Sequence, residues 1–104
     1  MSDQTNEITG EITGSPVRDN AARTRFELEV DGHIAFADYR RGTDGIIRIP
    51  HVEAPPALRG TGAADRLMRG VVAIARAEGL RIMPICSYAQ AWMRKHAEHH
   101  DILV

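Results

Sequence analysis

Several features are scarce in this chain of 104 residues, and each scarcity removes a class of protein. Its single cysteine, Cys86, excludes an internal disulfide and any zinc site built from several cysteines. No apolar run approaches the roughly 20 residues of a membrane-spanning helix, and the polar N-terminus lacks the regions of a signal peptide. A formal net charge of −1 gives no electrostatic case for nucleic acid. We expect a cytoplasmic protein without nucleic-acid or membrane partners.

The N-terminal part of the chain is polar. Residues 1–24 are rich in Asp, Asn, Thr, Gly and Ser, with a short echo in Ile8-Thr9-Gly10 and Ile12-Thr13-Gly14. Two copies of a tripeptide are too few for a repeat architecture, and the low apolar content cannot anchor a core. The length allows one modest core. We therefore predict a flexible tail over 1–24 and one domain over 25–104.

The next part of the chain has the two-residue period of antiparallel strands. Arg25 to Val30 alternates polar and apolar side chains, and Asp31-Gly32 favours a two-residue hairpin turn because both positions accept positive φ. We expect a return strand from His33 to about Arg40 and a third strand from Ile46 to about Glu53. Pro50 cannot donate to a ladder, so the third strand should lie at an edge or carry a bulge.

A helical period follows. From Ala63 to Glu78 the apolar residues fall on one face, and Gly79 suits the left-handed cap that ends a helix. Leu80 to Cys86 is predicted as a strand, and a strand–helix–strand crossover of this length favours parallel pairing with the third strand. A last helix is expected from Ala89 to about His99. Its expected core residues are Trp92 and Met93.

The connection between the third strand and the first helix has the composition of an anion site. First-turn amides of a helix lack intrahelical acceptors, and the helix dipole adds partial positive charge, so phosphate binds well there. Gly60 and Gly62 allow close approach to the backbone, and Arg59 adds a permanent forked cation. No Gly-Lys-Ser/Thr closes the loop as in a Walker site, and Asp65 replaces the third glycine of a Rossmann fingerprint. On spacing alone, a plain strand-to-helix connection stays open.

A family resemblance narrows this choice. Arg59-Gly60-Thr61-Gly62-Ala63-Ala64 fits the Arg/Gln-x-x-Gly-x-Gly/Ala signature of the GNAT superfamily of acetyl-CoA-dependent N-acetyltransferases, in which this loop holds the CoA pyrophosphate. From Phe26 to about Asp101 the chain resembles the short, single-domain GNAT subfamily, with His51 to Pro56 before the loop and Pro84 to Tyr88 after the helix. The resemblance implies an α+β fold in three layers. Its mixed sheet would have about four to five strands, an antiparallel meander plus one parallel pair, flanked by two helices.

The resemblance also implies ligands and binding residues. Acetyl-CoA would be the co-substrate and CoA the product, with an unidentified amine of a protein, a peptide or a small molecule as acceptor. In GNAT folds the bulged strand offers backbone donors to the acetyl carbonyl and the pantetheine amide. Ser87 would touch the cofactor or cap the last helix. The predicted cofactor-binding residues are Val52, Ala54, Arg59, Gly60, Thr61, Gly62, Ala63, Ala64 and Ser87.

Acetyl transfer to an amine needs a base for the amine proton and an acid for the leaving thiolate. His51 and Glu53 share a face of the strand because residues two apart do, so either could be the base. Alternatively, Glu53 is a solvated carboxylate at the rim and His51 is a half-buried strand histidine with its hydrogen bonds satisfied. In the subfamily that this chain resembles, a cysteine at the position of Cys86 lies near the acetyl group. Many GNAT enzymes have a tyrosine near the position of Tyr88 that acts as the general acid and protonates the CoA thiolate. Packing roles for both stay open. The predicted catalytic residues are Cys86, Glu53, His51 and Tyr88.

Several alternatives remain at this point. We expect direct attack in a ternary complex, with a covalent acetyl-Cys86 route as the mechanistic rival. A non-catalytic sensor or interaction module that binds CoA is the alternative function. His96 and His100 lie one helical turn apart, but no H-E-x-x-H pattern is present and last-turn histidines also complement the helix dipole, so we predict no metal site. We expect a monomer or weak homodimer.

Overall fold

The computed structural model describes residues 16–104. One sheet runs in sequence order from β1 to β5, antiparallel except for the parallel pair β4 and β5. This confirms the predicted α+β mixed sheet. The strands are β1 (Arg18–Asn20), β2 (Arg25–Val30), β3 (His33–Arg41), β4 (Ile46–Glu53) and β5 (Arg81–Pro84), the helices are α1 (Ala63–Ala77) and α2 (Ser87–Lys95), and 3-10 turns cover Ala21–Arg23, Pro56–Leu58 and Ala97–Ile102.

The antiparallel meander forms where its turn residues predict it. Asp31 and Gly32 have φ of +51° and +79°, as a hairpin of two residues between right-twisted strands requires. Val30 pairs with His33 across this turn. The register keeps Phe26 and its same-face neighbours in the core, because a slip of one residue would turn the whole apolar set to solvent.

The proline in β4 sits at a bulge, as predicted. The register between β3 and β4 shifts between Asp38 and Arg40, so that Ile49 and Pro50 together lie opposite Tyr39. β4 is an inner strand between β3 and β5. A proline is compatible with an inner strand only where the ladder is already interrupted, and the bulge supplies that interruption next to the end of β5.

Both helices pack on the same face of the sheet. α1 and α2 bury their apolar stripes with the strand residues of that face in one core, whereas the other face carries exposed side chains such as Glu29, Arg40 and Glu53. Residues 16–104 therefore form two layers rather than the three expected, because neither described helix covers the second face. The fully buried side chains include Phe26, Leu28, Ile47, Ile49, Leu67, Met68, Val71, Ile82 and Met93.

The structure differs from the flexible tail predicted over 1–24. β1 pairs with β2 at the sheet edge, Val17 is buried, and the carboxylate of Asp19 accepts a hydrogen bond of 2.7 Å from the Tyr39 hydroxyl. Backbone pairing and this long-range contact hold a strand whose own side chains are polar. The rest of the predicted tail, 1–15, lies outside the described residues, and the domain boundary stays a prediction.

The C-terminal half follows the prediction with shifted ends. Gly79 has φ of +70° and ends α1 as expected. β5 stops at Pro84, earlier than predicted, and α2 begins at Ser87 rather than Ala89. The Val104 amide donates to β5 at 2.9 Å, so the chain end runs beside that strand. Within the described residues, neither helix has the length and apolar character to cross a membrane.

Candidate functional site

β4 and β5 separate just beyond the bulge. Their parallel pairing ends at Ile49 and Pro84. The carbonyl of Ile49 then accepts from the amides of both Ile85, at 3.0 Å, and Cys86, at 3.2 Å. The chain turns into α2 there, whereas β4 continues to Glu53. A gap thus opens between the C-terminal end of β4 and the start of α2.

The amide of Val52 points into this gap. In an antiparallel pair, residues alternate between those that bond the partner strand and those that face away from it. The Tyr39 amide donates to the carbonyl of Thr24, just before β2, at 3.0 Å. The alternate residues of β3 therefore bond β4, where they pair with His51 and Glu53. Val52 lies between those two residues. Its N–H therefore faces away from β3, where β5 no longer provides an acceptor.

Three amides of the loop before α1 bond within the loop. Those of Arg59 and Thr61 donate to carbonyls of the preceding 3-10 turn, at 3.1 and 3.2 Å. The amide of Ala63 donates to the Thr61 hydroxyl at 3.2 Å, and that hydroxyl donates to the Leu58 carbonyl at 2.5 Å. The side chain of Thr61 therefore shapes the loop and already has its partners.

The intervening amides have no such acceptor. Within residues 16–104, no hydrogen bond engages the amides of Gly60, Gly62 or Ala64. Gly62 precedes α1 without a side chain that could cap it. Both glycines have φ of +80°, and a Cβ on either would meet no atom within 4 Å. The glycines thus open space in front of free N–H groups at a helix start.

These free amides belong to a cavity of about 300 Å³. Arg59 lines it, and no carboxylate of the described residues forms an ion pair with its guanidinium. By contrast, Arg69 and Arg76 of α1 each pair with an aspartate at 2.9 and 2.7 Å. The cavity therefore presents an unneutralised cation. Its lining residues are Ala54, Leu58, Arg59, Gly60, Gly62, Ala63, Ala64, Asp65 and Tyr88.

Asp65 is the acidic residue of this lining. Its Oδ1 accepts from the indole Nε1 of Trp92 at 2.8 Å, and its Oδ2 accepts from Nε of Arg69 at 2.9 Å. Burial opposes ionisation of this carboxyl, but the hydrogen bonds from Trp92 and Arg69, together with the charge of Arg69, lower its pKa. The pair with Arg69 is the favourable i,i+4 spacing of the sequence. The long-range contact with Trp92 left no sequence signal.

The start of α2 presents three side chains. Cys86 caps the helix, since its Sγ accepts from the amide of Ala89 at 3.5 Å. Ser87, considered as a cap, is instead the exposed first helical residue. Tyr88 is 39% exposed and lines the cavity. Burial raises the pKa of its hydroxyl, and the charge of Asp65 raises it further, so this phenol stays protonated near neutral pH.

His51 and Glu53 meet on the uncovered face of the sheet, as predicted from their spacing. Nε2 of His51 lies 2.9 Å from Oε1 of Glu53, and the two side chains are 51% and 55% exposed. The ring of Phe36 lies 6.0 Å from that of His51. The open loop and α1 belong to the other, helix-covered side. The gap between β4 and β5 therefore lies between the Arg59 loop with its free amides on one side and the pair of His51 and Glu53 on the other.

The C-terminal histidines contact the end of α2. Nδ1 of His96 lies 2.7 Å from the Trp92 carbonyl, and Nε2 of His100 lies 2.8 Å from the Met93 carbonyl. These contacts agree with histidines that complement the last turn of a helix. In the part of the chain that the structure describes, no group of three or more potential metal ligands occurs. Trp92 and Met93 are buried, as predicted.

Comparison with known proteins supports the same family as the motif. Among proteins with curated descriptions, none matches the chain. The fold resembles the solution NMR structure of a GCN5-like protein from Staphylococcus aureus that is provisionally assigned as an N-acetyltransferase, with a TM-score of 0.62 and 24% identity over 85% of this chain and 86% of that chain. Residues 25–102 match the family model of the GCN5-related N-acetyltransferases. Because that match spans more than half of the chain, the protein belongs to the GCN5-related N-acetyltransferase family.

Proposed function

We propose that this protein transfers the acetyl group of acetyl-CoA to an amine acceptor. Family membership supports acetyltransferase activity and acetyl-CoA as the co-substrate. The observation that carries the proposal is the cavity in which the free amides of Gly60, Gly62 and Ala64 meet the unpaired Arg59. Pyrophosphate oxygens would accept from those amides and from the guanidinium, as anions do at helix starts.

The gap between β4 and β5 suits the thioester arm of the co-substrate. The Val52 N–H faces this gap and would donate to the acetyl carbonyl or the pantetheine amide. By the same alternation, Ala54 offers the next donor nearer to the cavity that it lines. A fixed amide aimed at a carbonyl oxygen also stabilises the negative charge that develops there during acyl transfer.

The two faces of the sheet suggest where the acceptor approaches. Acetyl-CoA supplies an electrophilic thioester carbonyl, and its phosphates would lie on the helix-covered side. The amine would then arrive from the uncovered face, where His51 or Glu53 accepts its proton, directly or through water, as the N–C bond forms and the C–S bond breaks. The protonated hydroxyl of Tyr88 would donate to the departing sulfur.

Direct attack requires no covalent enzyme intermediate. Cys86 supports that route because its Sγ already serves as the cap of α2. To act as the nucleophile of the rival route, Cys86 would also have to lose its proton and become a thiolate. The rival route, in which the acetyl group first moves to Cys86, would leave an acetylated thiol that intact mass spectrometry detects. The acceptor, the compartment and the oligomeric state stay predictions.

Calorimetry and an acceptor screen test the proposal. Acetyl-CoA should bind the folded protein, and Arg59→Ala should weaken binding by about 1.5–3 kcal/mol because a charge-assisted contact is lost. Arg23→Ala is the matched control, since Arg23 is exposed at the opposite edge of the sheet and forms no ion pair among the described residues. Absence of binding would overturn the proposal.

The same screen separates an enzyme from a CoA sensor. Labelled acetyl-CoA is mixed with the protein and with lysine peptides, polyamines or small amines, and the products are identified by mass spectrometry. If the protein is an enzyme, the amount of CoA released rises with the amount of amine acceptor added. A sensor binds the co-substrate normally and shows no release with any amine.

A further inference from the structure

An acidic residue at an anion-binding loop needs an explanation. Asp65 is the third residue of α1 and lines the same cavity as Arg59 and the free amides. A carboxylate there repels phosphate, so its presence opposes the binding that the loop favours. A first-turn aspartate can stabilise its own helix through the dipole. That role alone would not require the hydrogen bond that Asp65 accepts from Trp92, outside α1.

Both oxygens of Asp65 accept hydrogen bonds, one from α2 and one from within α1. Oδ1 accepts from Nε1 of Trp92 in α2 at 2.8 Å, and Oδ2 accepts from Arg69 at 2.9 Å. The indole is 4% exposed, and its other neighbours fix the ring, because His96 stacks on it with centroids 3.9 Å apart. The carboxylate is therefore joined to a rigid part of α2, and its charge is partly neutralised.

This bond determines where one face of α2 lies. Trp92 follows Tyr88 by four residues, so the two side chains stand on the same face of the helix. Tyr88 lines the cavity beside Asp65. The contact between Asp65 and Trp92 thus links the first turn of α1, which carries the free Ala64 amide, to the face of α2 that carries the tyrosine.

We propose that Asp65 is a positioning residue for acetyl transfer, which holds α2 through Trp92 so that Tyr88 stands over the anion-binding loop. The inference rests on the proposed function, because it assigns to Tyr88 the proton that the departing sulfur takes. Asp65 itself touches no reacting atom. Its contribution is to keep a side chain of one helix in register with the backbone of another.

Kinetics with a matched control test this role. Asp65→Ala should lower kcat by about ten- to a hundredfold, the usual cost of misplacing a reacting group by about 1 Å, while KM for acetyl-CoA does not rise because a negative charge has left the cavity. Asp101→Ala is the control. Asp101 also pairs with an arginine of α1, Arg76 at 2.7 Å, but does not line the cavity, so kcat should stay within about twofold.

A conservative variant and the indole sharpen the test. Asp65→Asn keeps an acceptor for Nε1 of Trp92 and should recover most of the lost kcat. Trp92 is the single tryptophan of the chain, so its emission should change when CoA binds to the wild type and should change much less in Asp65→Ala. If Asp65→Ala does not fold, Trp92→Phe, which keeps the ring without the N–H donor, should show the same fall in kcat.

The outcomes separate this inference from the proposed function. If CoA binds and the wild type turns over but Asp65→Ala and Trp92→Phe keep their kcat, the positioning role is wrong and the proposed function stands. Equal losses of thermal stability in Asp65→Ala and Asp101→Ala, with kcat unchanged in both, would also overturn it. Absence of CoA binding by the wild type overturns the proposed function and this inference with it.

Discussion

The two helices begin in opposite ways. α1 starts behind Gly62, which has φ of +80° and no side chain to cap the helix, so the Ala64 amide is free. α2 starts behind Cys86, whose Sγ accepts from the Ala89 amide. The first start therefore offers free backbone donors beside the cavity, whereas the second closes its backbone and offers the Tyr88 hydroxyl. Under the proposed function, backbone amides of α1 would bind the anion and a side chain of α2 would transfer the proton.

The largest expected effect tests the side chain at the start of α2. Tyr88→Phe should lower kcat by about a hundredfold, the low end of general acid catalysis, because no hydroxyl remains to protonate the leaving sulfur. Affinity for acetyl-CoA should change little. Tyr39→Phe is the matched control. Tyr39 is the only other tyrosine of the chain, and its hydroxyl donates to Asp19 at the far edge of the sheet. An unchanged kcat in Tyr88→Phe would remove the tyrosine from the reaction.

The contrast between the helix starts also shows how far sequence alone can predict this site. The loop from Arg59 to Gly62 and the bulge at Pro50 are local features, because glycine, arginine and proline restrict or permit backbone geometry wherever they stand. The cap of α2 could not be predicted, because serine is the commoner cap and Cys86 precedes it by one residue. The bond between Asp65 and Trp92 spans 27 positions, and only the packing of α1 beside α2 creates it.

The fold shows the same division. The meander and α1 follow periods of two and 3.6 residues that their own apolar side chains reveal. β1 has three polar residues, too few to show a period, and it is held by pairing with β2 and by the contact from Tyr39 to Asp19. The third layer, which residues 16–104 do not form, was expected from family resemblance rather than from any residue of the chain. Sequence therefore predicted the elements that show a period of their own and missed β1 and the side-chain contacts between distant elements.

The next effect tests the open backbone at the start of α1. Gly62→Ala should weaken acetyl-CoA binding by roughly tenfold, because a Cβ would stand where a bulky anion approaches, and should cost about 1–2 kcal/mol of folding free energy through positive φ. Gly79→Ala is matched, since its φ is +70° and its Cβ would also meet no atom within 4 Å. Calorimetry and urea unfolding of both variants separate backbone strain from lost binding.

Affinities equal to that of the wild type in both glycine variants would contradict this interpretation. That result would mean that the space before Gly62 is not used by the ligand. A loss of binding in both variants would instead indicate that strain at either end of α1 disturbs the whole helix.

A smaller effect tests the capped start of α2. Cys86→Ala should lower the unfolding free energy by about 0.5 kcal/mol, because a weak sulfur acceptor is lost from the Ala89 amide, and should leave turnover within about twofold. Ser87→Ala is the adjacent control, because the exposed hydroxyl of Ser87 forms no hydrogen bond within the described residues. Loss of turnover in Cys86→Ala, together with an acetylated thiol in the wild type, would support the covalent route.

The smallest effect concerns Asp65, the acidic residue in the first turn of α1. The first turn of α2 has no acidic residue. Although burial opposes ionisation, hydrogen bonds from Trp92 and Arg69 lower the pKa of Asp65. A depressed folded-state pKa stabilises the fold above the unfolded carboxyl value, and the contribution disappears as pH falls through the folded value. The stability difference between the wild type and Asp65→Asn should therefore be greatest at pH 5–7 and shrink below about pH 4.

This stability difference should stay under about 1 kcal/mol because the side chain of Asp65 is 41% exposed. Urea unfolding at several pH values measures it, and 1 M salt should reduce only the part that comes from Arg69. A difference that does not vary with pH would mean that neither hydrogen bond favours the ionised carboxylate, and the partial neutralisation that allows an acid beside an anion-binding loop would then need another source.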